Sequence, residues 1–483
     1  MIRIIRDGFD NLDYDVRGIV SSFYPGKEIV FEEGCPASPT PEQETVLHLG
    51  EILSDPTKAK NELRKELYTH LSKRTGRELP WGILIGVRPT KLTMAAIESG
   101  MSEDEAAELM RREYFVSGGK ASLAAGISAR ELGIIRTLRN ETRETPEQSH
   151  ENDITAAGGQ RGYSLYAGIP FCPTTCLYCS FTSYPISKWR HRVGDYLDAL
   201  FRELDWTADR FAARPCHSVY IGGGTPTSLD AADLDRLLGR IRDRIDFGPV
   251  REFTVEAGRP DSITREKLLV MRDHGVTRIS INPQTMNDAS LRLIGRSHRS
   301  AEIVEKYMMA RELGFDNINM DIILGLPGER AEDVARTMEA LAALRPDSLT
   351  VHALAVKRAS RLKMEAAGAV MPGYSDEESA RMMEIAVSGA ESMGLAPYYL
   401  YRQKNMAGSL ENVGFAAPGK EGIYNIVIIE ETESIVALGA GTVTKNVDKG
   451  PKNITRCDCA KEVDDYISRI DEMIRRKEEL FAR

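Results

Sequence analysis

Leu165–Phe181 reads LYAGIPFCPTTCLYCSF, which sets Cys172, Cys176 and Cys179 at C-x3-C-x2-C spacing directly behind a short apolar run. Thiols packed that closely serve a metal more often than they serve packing. Thiolates are soft ligands that suit zinc or iron–sulfur clusters. Structural zinc takes four protein ligands, commonly as paired C-x2-C knuckles, and no second knuckle follows within reach. Three cysteines on a four-iron cluster leave one iron without a protein ligand, and an open iron is a place for chemistry. The alternative, three incidental thiols, leaves them open to oxidation.

Outward from this stretch, strands and helices alternate from Tyr163 to about Val356. Apolar runs of strand length occur at Ser164–Ile169, Ser218–Ile221, Glu252–Glu256, Arg278–Ile281, Asn317–Ile323 and Ser348–His352. Helical patterns separate them at Val193–Phe211, Asp230–Ile245, Ile263–His274, Glu302–Leu313 and Glu332–Leu344, and Asp230 with Asp233 marks one helix start. Such alternation predicts an α/β fold with a parallel sheet, and six units predict a barrel or an open part of one. Active sites of these folds lie at the carboxyl ends of the strands. Polar and glycine-rich features do follow the runs. The cysteines come after the first and Gly222-Gly223-Gly224-Thr225-Pro226 after the second. Glu256 ends the third, and Asn282 and Gln284 follow the fourth. Asp321 precedes Gly325-Leu326-Pro327 on the fifth, and the sixth ends near His352 and Ala355.

The flanks carry less chemistry. Residues 1–150 read as an N-terminal accessory α+β domain, with strands at Met1–Ile5 and Glu28–Phe31 and helices at Glu62–Lys73, Ser102–Glu113 and Ala121–Leu138. Glu78–Leu92 reads as a structural turn, with Arg88 and Lys91 as alternative carboxylate contacts, and Arg139–Gln160 as a polar linker. The core spans 151–356. A mixed C-terminal, substrate-side region follows at 357–450, with a helix at Asp376–Met393 and strands at Pro397–Gln403, Ile423–Glu430 and Ser434–Leu438. Asn405–Lys420 reads as a glycine-bearing loop placed to close over a substrate. Within 451–483, Val463, Tyr466, Ile467, Ile470 and Ile474 share a face, so Lys461–Phe481 reads as one amphipathic helix.

A chain of 483 residues exceeds one core. Its formal charge of −9 argues against a nucleic-acid partner. No run approaches the roughly 18 apolar residues of a membrane span, and the start, MIRIIRDGFDNLDYD, lacks a signal-peptide core. Seven cysteines without export features predict free thiols and a cytoplasmic protein.

An open iron needs a small ligand. Gly222–Gly224 lets backbone approach one closely. Glu256 is suited to accept from ribose hydroxyls or an amine. Gln284, Arg296 and Asp321 add an amide, a cation and an anion. The set suits a zwitterionic amino acid joined to a nucleoside. S-adenosylmethionine is such a molecule, and its sulfonium needs an electron that a cluster can deliver.

The motif Cys172–Cys179, the run Gly222–Pro226 and Gly325–Gly328 resemble the radical S-adenosylmethionine superfamily. More narrowly, Tyr166-Ala167-Gly168-Ile169-Pro170-Phe171-Cys172 and Gly222–Thr227 resemble the oxygen-independent coproporphyrinogen III oxidase family. The long N-terminal region and Glu411–Lys420 are most similar to its HemZ (coproporphyrinogen dehydrogenase) branch. The resemblance implies a partial (β/α)6 barrel in which Cys172, Cys176 and Cys179 bind a [4Fe–4S] cluster whose fourth iron is chelated by S-adenosylmethionine. Tyr166, Tyr178, Gly223, Gly224, Thr225, Glu256, Gln284, Arg296, Asp321 and Ala355 fall where the family contacts that cofactor.

It implies, further, a reductant such as flavodoxin or ferredoxin, cleavage of the cofactor to methionine and a 5′-deoxyadenosyl radical, and hydrogen removal from a propionate β-carbon. Loss of carbon dioxide and one more electron leaves a vinyl group, twice per substrate, turning coproporphyrinogen III into protoporphyrinogen IX in haem biosynthesis. Such a tetra-acid calls for cations, and Arg259, Lys357, Arg358, Arg402 and Lys404 are candidates. Phe181 stands where the family has a fourth cysteine. That departure leaves open a haem-delivering protein, for which His298 and His352 are candidate axial ligands, and another radical reaction on a tetrapyrrole. Cys457-Asp458-Cys459 is a candidate auxiliary metal pair.

Overall fold

The strands expected at the start of the chain form a small parallel sheet, β1 (Ile2–Ile5), β2 (Ile29–Glu32) and β3 (Thr45–His48), in the order β2-β1-β3. The computed structural model describes residues 1–33, 45–141, 161–354, 374–402, 410–450 and 453–482. They divide into two units, Met1–Ala129 with Leu400–Lys404, and Arg130–Tyr399 with Asn405–Arg483.

In the first unit, helices Asp13–Phe23 and Lys60–Thr75 bury Val16, Ile19, Val20 and Phe23, and Leu63, Leu67 and Leu71, against Ile2 and Ile4. These residues recur three or four apart, so each helix turns one stripe inward. The 78–92 segment is the expected turn. Leu84 N–H donates to the Trp81 carbonyl at 3.0 Å, and Gly82 (φ +52°) lies where a Cβ would meet the Tyr114 carbonyl at 2.0 Å. Arg402, a candidate substrate cation from sequence, belongs to this unit. Its guanidinium donates to the Leu84 carbonyl at 2.6 Å and lies over the Trp81 ring. Helix Gly118–Glu141 runs through the first residues of the expected linker, and 142–160 lie outside the described residues.

In the second unit the six expected strands appear as β4 (Tyr163–Ile169), β7 (Cys216–Gly223), β8 (Glu252–Glu256), β9 (Arg278–Ser280), β10 (Ile318–Leu324) and β11 (Ser348–Ala353), each parallel to the next. Leu165, Val219, Val255, Ile279, Met320 and Val351 are buried, as strands covered on both faces require. Helices occupy the expected intervals, and the Asp230 carboxylate caps Ala231–Arg244 by accepting from Asp233 N–H at 2.9 Å. A two-stranded ladder, β5 (Phe171–Cys172) with β6 (Tyr184–Pro185), frames the cysteine loop. The sheet extends beyond six units through β12 (Ala396–Tyr401), β13 (Asn412–Ala416), β14 (Ser434–Leu438), β15 (Val443–Asn446) and β16 (Thr455–Asp458), in the order β12-β13-β11-β10-β9-β8-β7-β4-β14-β15-β16. Strand β14 lies parallel beside β4, and β13 antiparallel beside β11. The result is a partial barrel that stays open.

Three expectations fail locally. Ile423–Glu430 is a helix, not a strand, because the Glu252 carboxylate caps its first N–H groups. A short apolar run does not distinguish the two by period. The expected 405–420 loop contains β13, buried along its length, and 403–409 lie outside the described residues. The terminal helix breaks at Arg469 into Val463–Ser468 and Ile470–Ala482, although Val463, Tyr466 and Ile470 do share the buried face. All six cysteines among the described residues are free thiols. No described helix is long and apolar enough to cross a membrane. A cavity of about 330 Å³ opens at the amino ends of β8 and β10, beside Glu252 and Asn317, away from the cysteines.

Candidate cofactor site

The chain leaves β4 at Ile169 and is pinned before it reaches Cys172. Gly224 N–H donates to the Ile169 carbonyl at 2.8 Å, and Thr225 N–H to the Phe171 carbonyl at 2.7 Å. Gly223 takes φ +109°, and a Cβ on Gly224 would lie 2.5 Å from the Phe171 carbonyl oxygen. A side chain at 224 therefore displaces the segment that carries the first thiol.

Beyond this clamp, Cys172 Sγ stands 3.6 Å from Thr225 Oγ1. Leu177 N–H donates to the Ile294 carbonyl at 3.0 Å, and Cys179 N–H to the Cys176 carbonyl at 3.2 Å. Burial pushes the Cys172 thiol up to about 11 and raises Cys179 as well, each thiol sensing its neighbours. Ionised sulfur in such surroundings needs positive charge nearby. Arg259 supplies some. It is 3% exposed, pairs with Asp261 at 2.8 Å, and donates to Cys176 Sγ at 3.3 Å and to the Thr174 carbonyl at 3.0 Å. The expectation that Arg259 meets a substrate carboxylate is therefore wrong; the side chain braces the cysteine loop. Arg296 does the same from another side, donating to Tyr178 Oη at 3.1 Å and to the Asn282 carbonyl at 2.6 Å.

The polar strand ends converge beside this loop. Glu256 closes β8, and a Cβ on Gly222 would lie 2.8 Å from its Oε1. Burial pushes the Glu256 carboxyl up to about 7, opposed by the Tyr220 hydroxyl, which donates to it at 2.7 Å, and by Gly223 N–H. On β10, burial raises Asp321, yet hydrogen bonds and the charge of His352, 3.8 Å away, with Asn319 and Thr350, hold it below the usual carboxylate range. Gln284 adopts φ +66° and is tied to β10, its N–H donating to the Asp321 carbonyl at 2.9 Å. A left-handed residue other than glycine costs about 1–3 kcal/mol and often marks function.

Ser280 Oγ, Asn282 Oδ1, Gln284 Oε1 and Arg296 Nε are buried and have no hydrogen-bond partner among the described residues. Buried polar atoms are ordinarily paired, so these are candidates to meet a ligand with donors and acceptors of its own. Tyr166 stacks with Tyr220 at 5.9 Å and Tyr424 at 5.8 Å. No three Cys, His, Asp or Glu side chains among the described residues converge as one metal ion requires. A four-iron cube makes a different demand, since each thiolate takes a separate iron corner. Three thiols, a glycine cradle without room for a Cβ, and orphaned polar atoms fit a [4Fe–4S] cluster with a zwitterionic nucleoside.

Of the expected contacts, Ala355 lies outside the described residues, as do Lys357, Arg358 and Lys404. The others gather around the carboxyl ends of the strands. His298 is 2% exposed beside Arg296 and Arg259, and burial pushes it down to about 3, so it is an enclosed neutral imidazole and no haem reaches it in this arrangement. Cys459 is also enclosed, its thiol donating to Glu203 at 3.4 Å. Sequence reasoning missed the bracing role of Arg259, the Tyr220 hydroxyl and Ser280. Ser280 alone carried a signal, since it lies one residue before the end of the expected strand Arg278–Ile281.

Residues 166–341 match the family model described as the radical SAM superfamily. The chain is 40% identical over 422 residues, 86% of its length and 80% of the relative's, to the oxygen-independent coproporphyrinogen-III oxidase-like protein HemZ of Bacillus subtilis. It is 32% identical over 296 residues, 60% of its length and 73% of the relative's, to the heme chaperone HemW of the same organism. Among solved structures, it matches coproporphyrinogen III oxidase (HemN) of Escherichia coli, described as a radical SAM enzyme, with a TM-score of 0.53 and 25% identity over 65% of this chain and 70% of that one. Superfamily members use a [4Fe–4S] cluster and S-adenosylmethionine. Fold, donor set and similarity agree: the chain belongs to the radical SAM superfamily, among the oxygen-independent coproporphyrinogen-III oxidase-like proteins.

Proposed function

We propose that this protein catalyses the oxygen-independent oxidative decarboxylation of coproporphyrinogen III to protoporphyrinogen IX, drawing electrons from a flavodoxin or ferredoxin. The observation that carries the radical chemistry is the cysteine loop, clamped by Gly224 and Thr225 and facing the orphaned polar atoms of Ser280, Asn282 and Gln284. The printed names of the HemZ and HemN relatives support the tetrapyrrole substrate. When bound, the cluster and S-adenosylmethionine supply a one-electron cleavage that yields a hydrogen-abstracting carbon radical. Cys172, Cys176 and Cys179 hold the cluster. Arg259 and Arg296 keep their loop in place. Gly222–Gly224 admit the cofactor's backbone-sized approach, Glu256 accepts its hydroxyl or ammonium hydrogens, and Gln284 and Ser280 complete the buried pairing.

An ionised Glu256 is the competent acceptor, and burial holds its carboxyl up at about 7 even with the Tyr220 hydroxyl and Gly223 N–H opposing the shift. S-adenosylmethionine affinity is therefore expected to rise about tenfold per pH unit below that midpoint and to level off above it. Glu256→Gln flattens the profile. For the cofactor-free fold the sign reverses. A carboxyl raised from 4.5 to about 7 keeps its proton in the native state after the unfolded chain has lost it. Stability from this group is full below pH 4.5 and falls as pH rises through 7. Calorimetric titrations and melting curves across pH 5.5–9 check both directions.

The reaction itself is tested anoxically, with reconstituted protein, reductant, S-adenosylmethionine and coproporphyrinogen III. Carbon dioxide release and a vinyl product are expected. A second reading, haem delivery, draws support from the HemW likeness and from Phe181, 72% exposed at the position where a fourth cysteine was expected. Tight haem binding without turnover would establish that reading and overturn the first.

A further inference from the structure

We propose that the Tyr220 hydroxyl, locked by the ring of Tyr424, is the positioning group that fixes the Glu256 carboxylate for its ligand. This inference rests on Glu256 being a cofactor contact. Tyr220 stands on β7 beside β8 and donates to Glu256 Oε1 at 2.7 Å. Its ring stacks on Tyr424 with centroids 4.4 Å apart and planes 26° from parallel. Tyr424 comes from helix Ile423–Glu430, whose first N–H groups are tied to Glu252 at the opposite end of β8. A column of contacts therefore runs from Glu252 through the helix and two stacked rings to the carboxylate. The stack holds the Tyr220 ring in place, and from that position its hydroxyl donates to Glu256.

The groups facing Glu256 are Tyr220 from β7, Tyr166 from β4, Tyr424 from the helix, and Asp321 from β10 with His352 behind it. Asp321 is the one that carries a negative charge, and it disfavours ionisation of Glu256. Burial raises Tyr220 well above the ordinary phenol value, so it keeps its proton at working pH. A permanent donor of this kind favours the ionised carboxylate over the protonated one and fixes which way its oxygens point. The incoming hydroxyl or ammonium then meets a pre-oriented acceptor, and less is lost in ordering on binding.

Tyr220→Phe removes one oxygen and keeps the stack. Cofactor affinity at pH 7 is expected to fall about tenfold, the range of a hydrogen bond to a charged group. The midpoint of the pH–affinity profile is expected to move upward, and the difference from the parent to narrow at pH 9. The melting temperature of the cofactor-free Tyr220→Phe protein is expected to fall more steeply with pH around 7 and to go on falling to higher pH than in the parent, because native Glu256 then keeps its proton longer. In the Glu256→Gln background, adding Tyr220→Phe is expected to change affinity no further. Tyr424→Leu is the second variant, with a smaller loss and the same upward midpoint shift.

An affinity loss in Tyr220→Phe that is equal at every pH, or that adds fully to that of Glu256→Gln, overturns the positioning role. If Glu256→Gln itself binds S-adenosylmethionine as the parent does, the failure lies in the cofactor contact beneath the inference, and the two are thereby told apart.

Discussion

Glu203→Ala is expected to destabilise the second unit by about 3–5 kcal/mol, the usual result of stripping one partner from a buried ion pair. Glu203 and Lys477 are both fully buried and in direct contact. The Glu203 carboxylate also accepts from Tyr466 Oη at 2.7 Å and from Gly439 N–H at 2.9 Å. Removing it strands an ammonium, a hydroxyl and an amide where water does not reach. Replacing both partners, as Glu203→Leu with Lys477→Met, is expected to recover the part of the loss that comes from the unpaired charge, while the Tyr466 hydroxyl and the Gly439 amide stay without their acceptor. Trp206 lies on the same helix as Glu203 and donates to Glu478 at 3.2 Å, so its fluorescence in a denaturant titration reports this unit. A loss below about 1 kcal/mol in the single variant would be incompatible with a dry pair.

The second large effect is expected at Gly224. An added methyl there lies 2.5 Å from the Phe171 carbonyl oxygen and 2.9 Å from its nitrogen. Overpacking against side chains costs about 1–3 kcal/mol because they shift. Backbone held in the β5–β6 ladder has nowhere to go, so the thiol loop itself must move. Gly224→Ala is expected to fold, as judged by circular dichroism, yet to lose most of its iron and sulfide after anoxic reconstitution. Gly239→Ala is the control. It sits within helix Ala231–Arg244, its nearest neighbour to an added Cβ is 3.5 Å away, and alanine favours helix. Full iron loading in Gly224→Ala would sink the claim that the glycine run sets the loop.

The barrel strands were legible because strands covered on both faces appear as unbroken apolar runs, and their polar ends follow from one topological rule. Asp230, Glu256 and Gln284 could be placed from local pattern alone. What stayed hidden depends on distant partners. Ile423–Glu430 is eight residues of apolar sequence, and its helical start is supplied by Glu252, far back in the chain. Gly414 reads as a loop residue, yet it is a strand position with no side chain because the Tyr399 ring lies across it, 1.8 Å from where a Cβ would stand. Arg259 reads as a candidate substrate contact, because nothing local announces that Cys176, far back in the chain, will take its guanidinium.

Strand β14 and Lys477 also bear on how the protein is made. Tyr196 donates to the Gly168 carbonyl at 2.6 Å, accepts from Ala440 N–H at 3.1 Å and sets its ring edge-on to Phe171. The segment entering the thiol loop is therefore backed by residues that leave the ribosome long after it. Until they arrive, the thiol loop has its clamp at Gly224 and Thr225 and its brace at Arg259 but lacks this backing. A chain that ends before Ser434 is therefore expected to retain less iron after anoxic reconstitution than the full chain.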